Sequence, residues 1–187
     1  QSFLDSTEGN NNVAIGRDCM LRNTTASNNT AVGYQALKTN TTGEANVAIG
    51  RDALLSSTTA GNNTAVGYES LNSITTGSAN TAIGRNAGDN TTTGANNTAV
   101  GAFALDANTT ANGNVAIGRS NSTNNTTGDN NTSVGDQAFF TNTTGSNNTS
   151  LGQGALFANT TASNNTAVGR DALVSNTTGA NNTAVGK

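Results

Sequence analysis

The chain has 187 residues, of which 8 are basic and 11 acidic, with no histidine, no tryptophan and a single cysteine. A formal net charge of −3 with no basic patch argues against nucleic acid or an anionic membrane as partner. One cysteine allows no internal disulfide, and no apolar stretch is long enough to cross a membrane.

In chain order, the first ten residues, QSFLDSTEGN, read as the tail of a repeat: Ser2 takes a small slot, Phe3 a large apolar slot, Thr7 a threonine slot and Gly9 a turn slot. The first full copy, NNVAIGRDCMLRNTTAS, runs from Asn11 to Ser27, and the second, NNTAVGYQALKTNTTGE, starts at Asn28. Glycines at Gly16, Gly33, Gly50, Gly67 and onward to Gly186 then recur every 17 residues without an insertion or deletion. A fixed short period denotes one unit stacked on copies of itself. The whole chain, residues 1–187, is therefore expected to be a single solenoid of about eleven coils, cut from a longer fibre. At about 4.8 Å per coil the rod would be roughly 50 Å long.

Three columns of the consensus NNTAVGxxALxxNTTGx never vary. They are Asn at the second place (Asn12, Asn29, Asn46, Asn63), Gly at the sixth (Gly16, Gly33, Gly50, Gly67) and Thr at the fourteenth (Thr24, Thr41, Thr58, Thr75). Stacked coils turn such columns into ladders, in which an amide can bond the amide above and below. The glycine column implies a corner with positive φ or close backbone approach.

Seventeen residues are too few for a helical repeat, which needs about 33. The TAVG and VAIG runs alternate as a strand does, so an all-β parallel solenoid, either β-roll or β-helix, is expected. Val and Ile at the fifth place (Ile15, Val32, Ile49, Val66, Ile83) are read as an inward row, opposed by Leu at the tenth (Leu37, Leu54, Leu71, Leu105, Leu156, Leu173). The alanine column (Ala14, Ala31, Ala48, Ala65) then forms an outward stripe along which another backbone could approach, or else lines a narrow part of the coil interior. Each coil's core is thin: a buried Val or Leu contributes about 1.5–3 kcal/mol, while ordering one residue's backbone costs about 1–2 kcal/mol. Contact with other chains is expected to help.

Arg17, Arg51, Arg85 and Arg119 recur every 34 residues at the seventh place, alternating early on with Tyr34 and Tyr68, an arrangement that keeps like charges off adjacent coils. Arg17 with Asp18, Arg51 with Asp52 and Arg170 with Asp171 are candidate surface pairs, each contributing about 0–1 kcal/mol. Cys19 occupies a small slot and reads as a buried structural thiol. Two coils break the pattern by placing Gly88 and Ser122 where Leu belongs, and Phe103 is positioned to cover the gap.

The acids are scattered over variable columns and form no carboxylate pair, nucleophile with base, or metal-ligand spacing. The chain is read as non-enzymatic, with no catalytic, cofactor or metal residues. Sequons at Asn23, Asn28, Asn40, Asn62, Asn90, Asn96 and Asn108 would suggest a glycan coat in some secreted proteins, but Asn and Thr have structural reasons to fill these columns. The adjacent threonines Thr24 and Thr25 point to opposite faces of a strand, so each face carries a single threonine row. That weakens ice binding, which commonly uses two threonines on one face.

The VAIGR and TAVGY segments, followed by a second glycine-bearing turn, resemble the head repeats of trimeric autotransporter adhesins. The NTAVGxxAL and NTTG phrasing is similar to repeats of phage tail-fibre-like and bacterial surface proteins. The resemblance covers the chain and implies a left-handed coil, a homotrimeric fibre shaft or head, and an extracellular, cell-surface or virion location. A structural and adhesive fibre element, meeting a host surface or glycan receptor, is the leading expectation. An end-to-end filament subunit and an ice-binding solenoid are the alternatives.

Overall fold

A computed structural model describes residues 8–187. The slots read at Ser2, Phe3 and Thr7 lie outside the described residues. The described chain contains no helix and winds as a parallel β-solenoid of about ten turns with the 17-residue repeat. Its strands occupy the third to fifth places: β1 (Val13–Ile15), β2 (Thr30–Val32), β3 (Val47–Ile49), β4 (Thr64–Val66), β5 (Thr81–Ile83), β6 (Thr98–Val100), β7 (Val115–Ile117), β8 (Thr132–Val134), β9 (Thr149–Leu151), β10 (Thr166–Val168) and β11 (Thr183–Val185). They form one sheet in chain order, and every strand pairs in parallel with its successor at a register of one repeat.

Each coil also bonds the next at the strand ends and beyond them. The Val13 N–H donates to the Asn29 carbonyl (2.9 Å), Gly33 N–H to Ile15 O (2.8 Å) and Leu37 N–H to Ala53 O (2.9 Å). This continuous backbone ladder fixes the period, because one added residue would unpair a whole coil.

The strand faces are the reverse of the expected assignment. Ala31, Ala48, Ala65 and Ala116 are fully buried, whereas Ile15, Ile49, Ile83 and Ile117 are among the most exposed apolar residues. The alanine stripe lines the interior and the Val and Ile row faces outward. The physical reason is width: the opposite wall brings in Ala36, Ala53 and Ala104 beside the buried Leu37, Leu54 and Leu105, leaving room for only a methyl on the strand side. Most coils therefore bury one large apolar side chain rather than two.

The tenth-place leucines do face inward, but in an unusual backbone. Leu37, Leu54 and Leu71 have φ of 53°, 52° and 49°, and the eighth place is also left-handed, with Asp52 at 58°. A left-handed non-glycine residue costs about 1–2 kcal/mol. Burial of the leucine and the bond from its N–H to the next coil offset that cost. Gly88 fits the same conformation, at φ 61°, while its missing side chain leaves room that Leu71 fills: a Cβ there would lie 2.9 Å from Leu71 Cδ2.

Phe103 does not cover that gap. It is half-buried and packs against the Arg85 guanidinium, 5.3 Å from the ring centre.

Ser122 is buried and points inward, where its hydroxyl lies 3.0 Å from Asn121 Oδ1 and 2.7 Å from Ser133 Oγ. Ser133 also donates to Asn121 Oδ1. This polar plug separates an apolar cluster ending at Ala116 from a second one starting at Phe139.

Candidate interaction surfaces

The three invariant columns are internal fastenings. At the second place, the Asn46 backbone N–H and side-chain Nδ2 both donate to Asn29 Oδ1, at 2.9 and 3.1 Å, and Nδ2 also donates to the Ala60 carbonyl (2.9 Å). Asn12 (to Ala26 O, 2.8 Å), Asn29 (to Gly43 O, 3.0 Å) and Asn63 (to Gly77 O, 3.0 Å) close their own coils in the same way. Only a side chain with both an acceptor and a donor at this length can join one coil to the next and close its own coil.

The glycines at Gly16, Gly33, Gly50 and Gly67 have φ between 131° and 142°, and a Cβ on any of them would run into the carbonyl of the glycine one coil on. Two constraints thus act on one position. At the fourteenth place, Thr24, Thr41, Thr58 and Thr75 each donate Oγ1 to the carbonyl of the next threonine, at 2.9, 3.0, 3.2 and 3.2 Å.

A fourth ladder was not separated from the turn by sequence reasoning. At the thirteenth place, Asn40 Nδ2 donates to Gly43 O (2.8 Å) and to Asn23 Oδ1 (3.3 Å), and the row continues through Asn125, Asn142 and Asn159. It breaks at Ser57, Ile74 and Thr91, and at the break Ser57 Oγ is buried without a partner. Asn23, Asn40 and Asn108 are fully buried, so these three sequons are closed to a glycan in the folded rod, whereas Asn28, Asn62 and Asn96 are exposed.

Three exposed rows remain after the fastenings are removed. The first is the outer face of the sheet, where Thr or Val at the third place and Val or Ile at the fifth alternate with the buried alanines; Ile49, Ile83 and Ile117 are 40%, 42% and 39% exposed. The second is the fifteenth place, Thr from Thr25 to Thr178, exposed in every described coil. Of each adjacent threonine pair, therefore, one hydroxyl fastens coils and the other faces solvent.

The third is the seventh place. The Arg17 guanidinium lies over the Tyr34 ring at 5.7 Å, Arg51 packs between Tyr34 (5.7 Å) and Tyr68 (5.5 Å), and Arg85 packs between Tyr68 (5.9 Å) and Phe103. The alternation that separates like charges also builds a cation–π ladder, with each contact contributing about 0.5–1 kcal/mol at an exposed site. Farther along, Arg119 turns to Asp136 with two parallel bonds of 3.0 and 3.1 Å. The expected neighbour pairs also form: Arg17 with Asp18 (3.3 Å), Arg51 with Asp52 (2.9 Å) and Arg170 with Asp171 (3.3 Å).

Among the described residues there is no cavity, no group of three or more Cys, Asp or Glu side chains able to hold a metal, and no helix long and apolar enough to cross a membrane. Burial pushes the Cys19 thiol up to about 11, and its Sγ contacts the Ala31 carbonyl at 3.2 Å. That makes it an inert core group at neutral pH. Asp89 and Asp106, at the same place in successive coils, are both raised above the usual carboxylate range, first by burial, with Asp89 adding to the effect on Asp106.

The fold defines a β-solenoid repeat protein. Comparison with protein-family models, with curated proteins and with solved structures gives no match to the chain.

Proposed function

We propose that this chain is a non-enzymatic structural and adhesive rod, an element of an extracellular fibre on a cell surface or virion, in which copies associate laterally as a homotrimer. The observation that carries this reading is the outer face of the sheet. Its fifth-place side chains, Val or Ile in every described coil but that of Leu151, repeat at one-coil spacing beside the third-place Thr and Val row, a long apolar strip on a chain otherwise covered mainly by polar residues. Exposed apolar strips of that length favour a protein partner.

A second copy suits the strip because two such faces share the same axial period. The thin interior supports the same reading: most coils bury one large apolar side chain, so covering the outer Val and Ile row adds apolar burial that the single chain lacks. Resemblance to trimeric adhesin heads favours three copies over two. The exposed threonine row at the fifteenth place lies in bends outside the strands and does not lift ice binding above the fibre reading.

The test is the solution mass by light scattering across a range of concentrations. The proposal expects three times the 18.6 kDa of one chain. A stable single-chain mass would reject lateral assembly, and open-ended polymers would support the filament alternative.

A further inference from the structure

We propose that the Arg and Tyr ladder of the first five coils is a docking surface for an extended acidic polysaccharide lying along the rod, with each guanidinium bridging one carboxylate or sulfate. The three arginines are oriented alike. Nε of Arg51 donates to Asp52 Oδ2 (2.9 Å), Nε of Arg85 donates to Asn86 Oδ1 (3.1 Å), and Nε of Arg17 lies 3.3 Å from Asp18 Oδ2. In each, the Nε edge faces the next side chain in the same coil, and the Nη edge has no partner among the described residues. The Arg17 and Arg51 side chains are 75% and 60% exposed.

The rings complete the arrangement. Arg51 and Arg85 each lie between two aromatic rings, 5.3–5.9 Å from Cζ to the ring centres, which limits the positions the guanidinium can take while its in-plane N–H groups stay open to solvent. A guanidinium held this way presents its Nη pair as a preformed fork for a planar or tetrahedral oxyanion. Part of the conformational entropy is then lost before binding.

Spacing selects the class of ligand. Successive forks are two coils apart, about 9.6 Å. An extended acidic peptide repeats its same-side carboxylates at about 6.6–6.8 Å, which falls out of step after one contact. A linear polysaccharide with one acid group per disaccharide repeats its charge over two sugar rings, a span comparable with two coils.

Asp18 and Asp52 sit on the Nε side, Asp52 is buried, and Glu69 accepts a bond from the Tyr68 hydroxyl, so the carboxylates balance the ladder without occupying the forks. Recognition then rests on oriented contacts, each weak, multiplied along the chain. The surface ends where Arg119 is closed onto Asp136.

The inference extends the adhesive part of the function proposed above and rests on it. The two fail separately: absent polysaccharide binding leaves the assembly mass unchanged, and a single-chain mass leaves binding measurable.

The test titrates the full chain at low salt with three oligosaccharides of equal length. Hyaluronan carries one carboxylate per disaccharide, chondroitin sulfate adds sulfate, and dextran is neutral. Binding of an acidic oligosaccharide, rising with length, is expected, together with none to dextran. The Arg51→Gln, Arg85→Gln variant should bind about tenfold more weakly, with its circular dichroism unchanged because Gln153 already occupies this place in another coil. The Arg51→Lys, Arg85→Lys variant, which keeps the charge and loses the fork, should weaken similarly. Failure of both acidic oligosaccharides to bind, equal binding by the lysine variant, or an equal loss in Arg170→Gln would overturn the proposal.

Discussion

The coils around Leu37 and Leu54 and the coils that meet at Asn121, Ser122 and Ser133 have the same backbone and opposite interiors. In the first region, alanine and leucine rows close on each other without a polar side chain between them. In the second, three polar side chains occupy the corresponding slots and satisfy one another. Both keep the same strand register and inter-coil bonds, such as Leu37 N–H to Ala53 O at 2.9 Å and Ser122 N–H to Ala138 O at 3.0 Å. The comparison teaches that the backbone ladder and the Asn and Gly columns set this fold, while the interior filling sets how strongly neighbouring coils are coupled. In a stacked array, stability is close to a sum of coil and interface contributions. The seam between the two apolar clusters is where apolar packing couples neighbouring coils least.

The largest effect should come from breaking what the two regions share. Gly67→Ala forces a Cβ into the Gly84 carbonyl at φ 142° and is expected to cost about 3 kcal/mol or more by chemical denaturation. Gly186→Ala, with a similar φ of 122° and open space around it, should cost about 1 kcal/mol. Equal costs would mean that close stacking plays no part.

Next comes the plug itself. Ser122→Leu alone puts an isobutyl group among Asn121 and Ser133 and strips their partners, for an expected loss of about 1–3 kcal/mol. Combining Asn121→Ala, Ser122→Leu and Ser133→Ala rebuilds the interior of the uniform coils and should raise the melting temperature above that of the parent. A triple variant less stable than the single one would show that the plug is not simply a substitute for apolar packing.

A smaller gain is expected from Ser57→Asn, which restores a rung of the broken Asn ladder in place of a buried hydroxyl that has no partner. About 0.5–1.5 kcal/mol should appear in a denaturant titration, and no gain would argue that the break is neutral.

The smallest effect is pH-dependent. Asp106 binds its proton more tightly folded than unfolded, so its contribution favours the fold at low pH and is lost as pH rises through the folded value. Asp106→Asn should therefore stabilise the rod at neutral pH and leave it unchanged at pH values below the ordinary carboxylate range. A larger effect in acid than at neutrality would reverse the sign of this argument.

Much of this was legible in the sequence. The unbroken spacing from Gly16 to Gly186 gave the coil length, and TAVG alternation placed the strands correctly. Which strand face points inward was not legible, because three residues alternate equally well in either sense. The ordinary rule that large apolar residues go inside then misleads, since this coil is too narrow for Ile49 opposite Leu54 and admits only Ala48. The small residues at Ala36 and Ala53 hinted at that narrowness. The left-handed backbone at Leu37 has no sequence signal, because leucine is a poor marker of positive φ. The spacing of Arg17, Arg51 and Arg85 was visible, but the placing of Arg51 and Arg85 each between two rings needed the coil geometry.

The outward Ile row and the lateral assembly built on it can be tested together by sedimentation velocity on Ile49→Lys, Ile83→Lys alongside the parent chain. The parent should sediment as three chains and the variant as one, with the same β-sheet circular dichroism in both. An unfolded variant would place these side chains inside the coil, and a variant that still sediments as three chains would remove this face from the assembly.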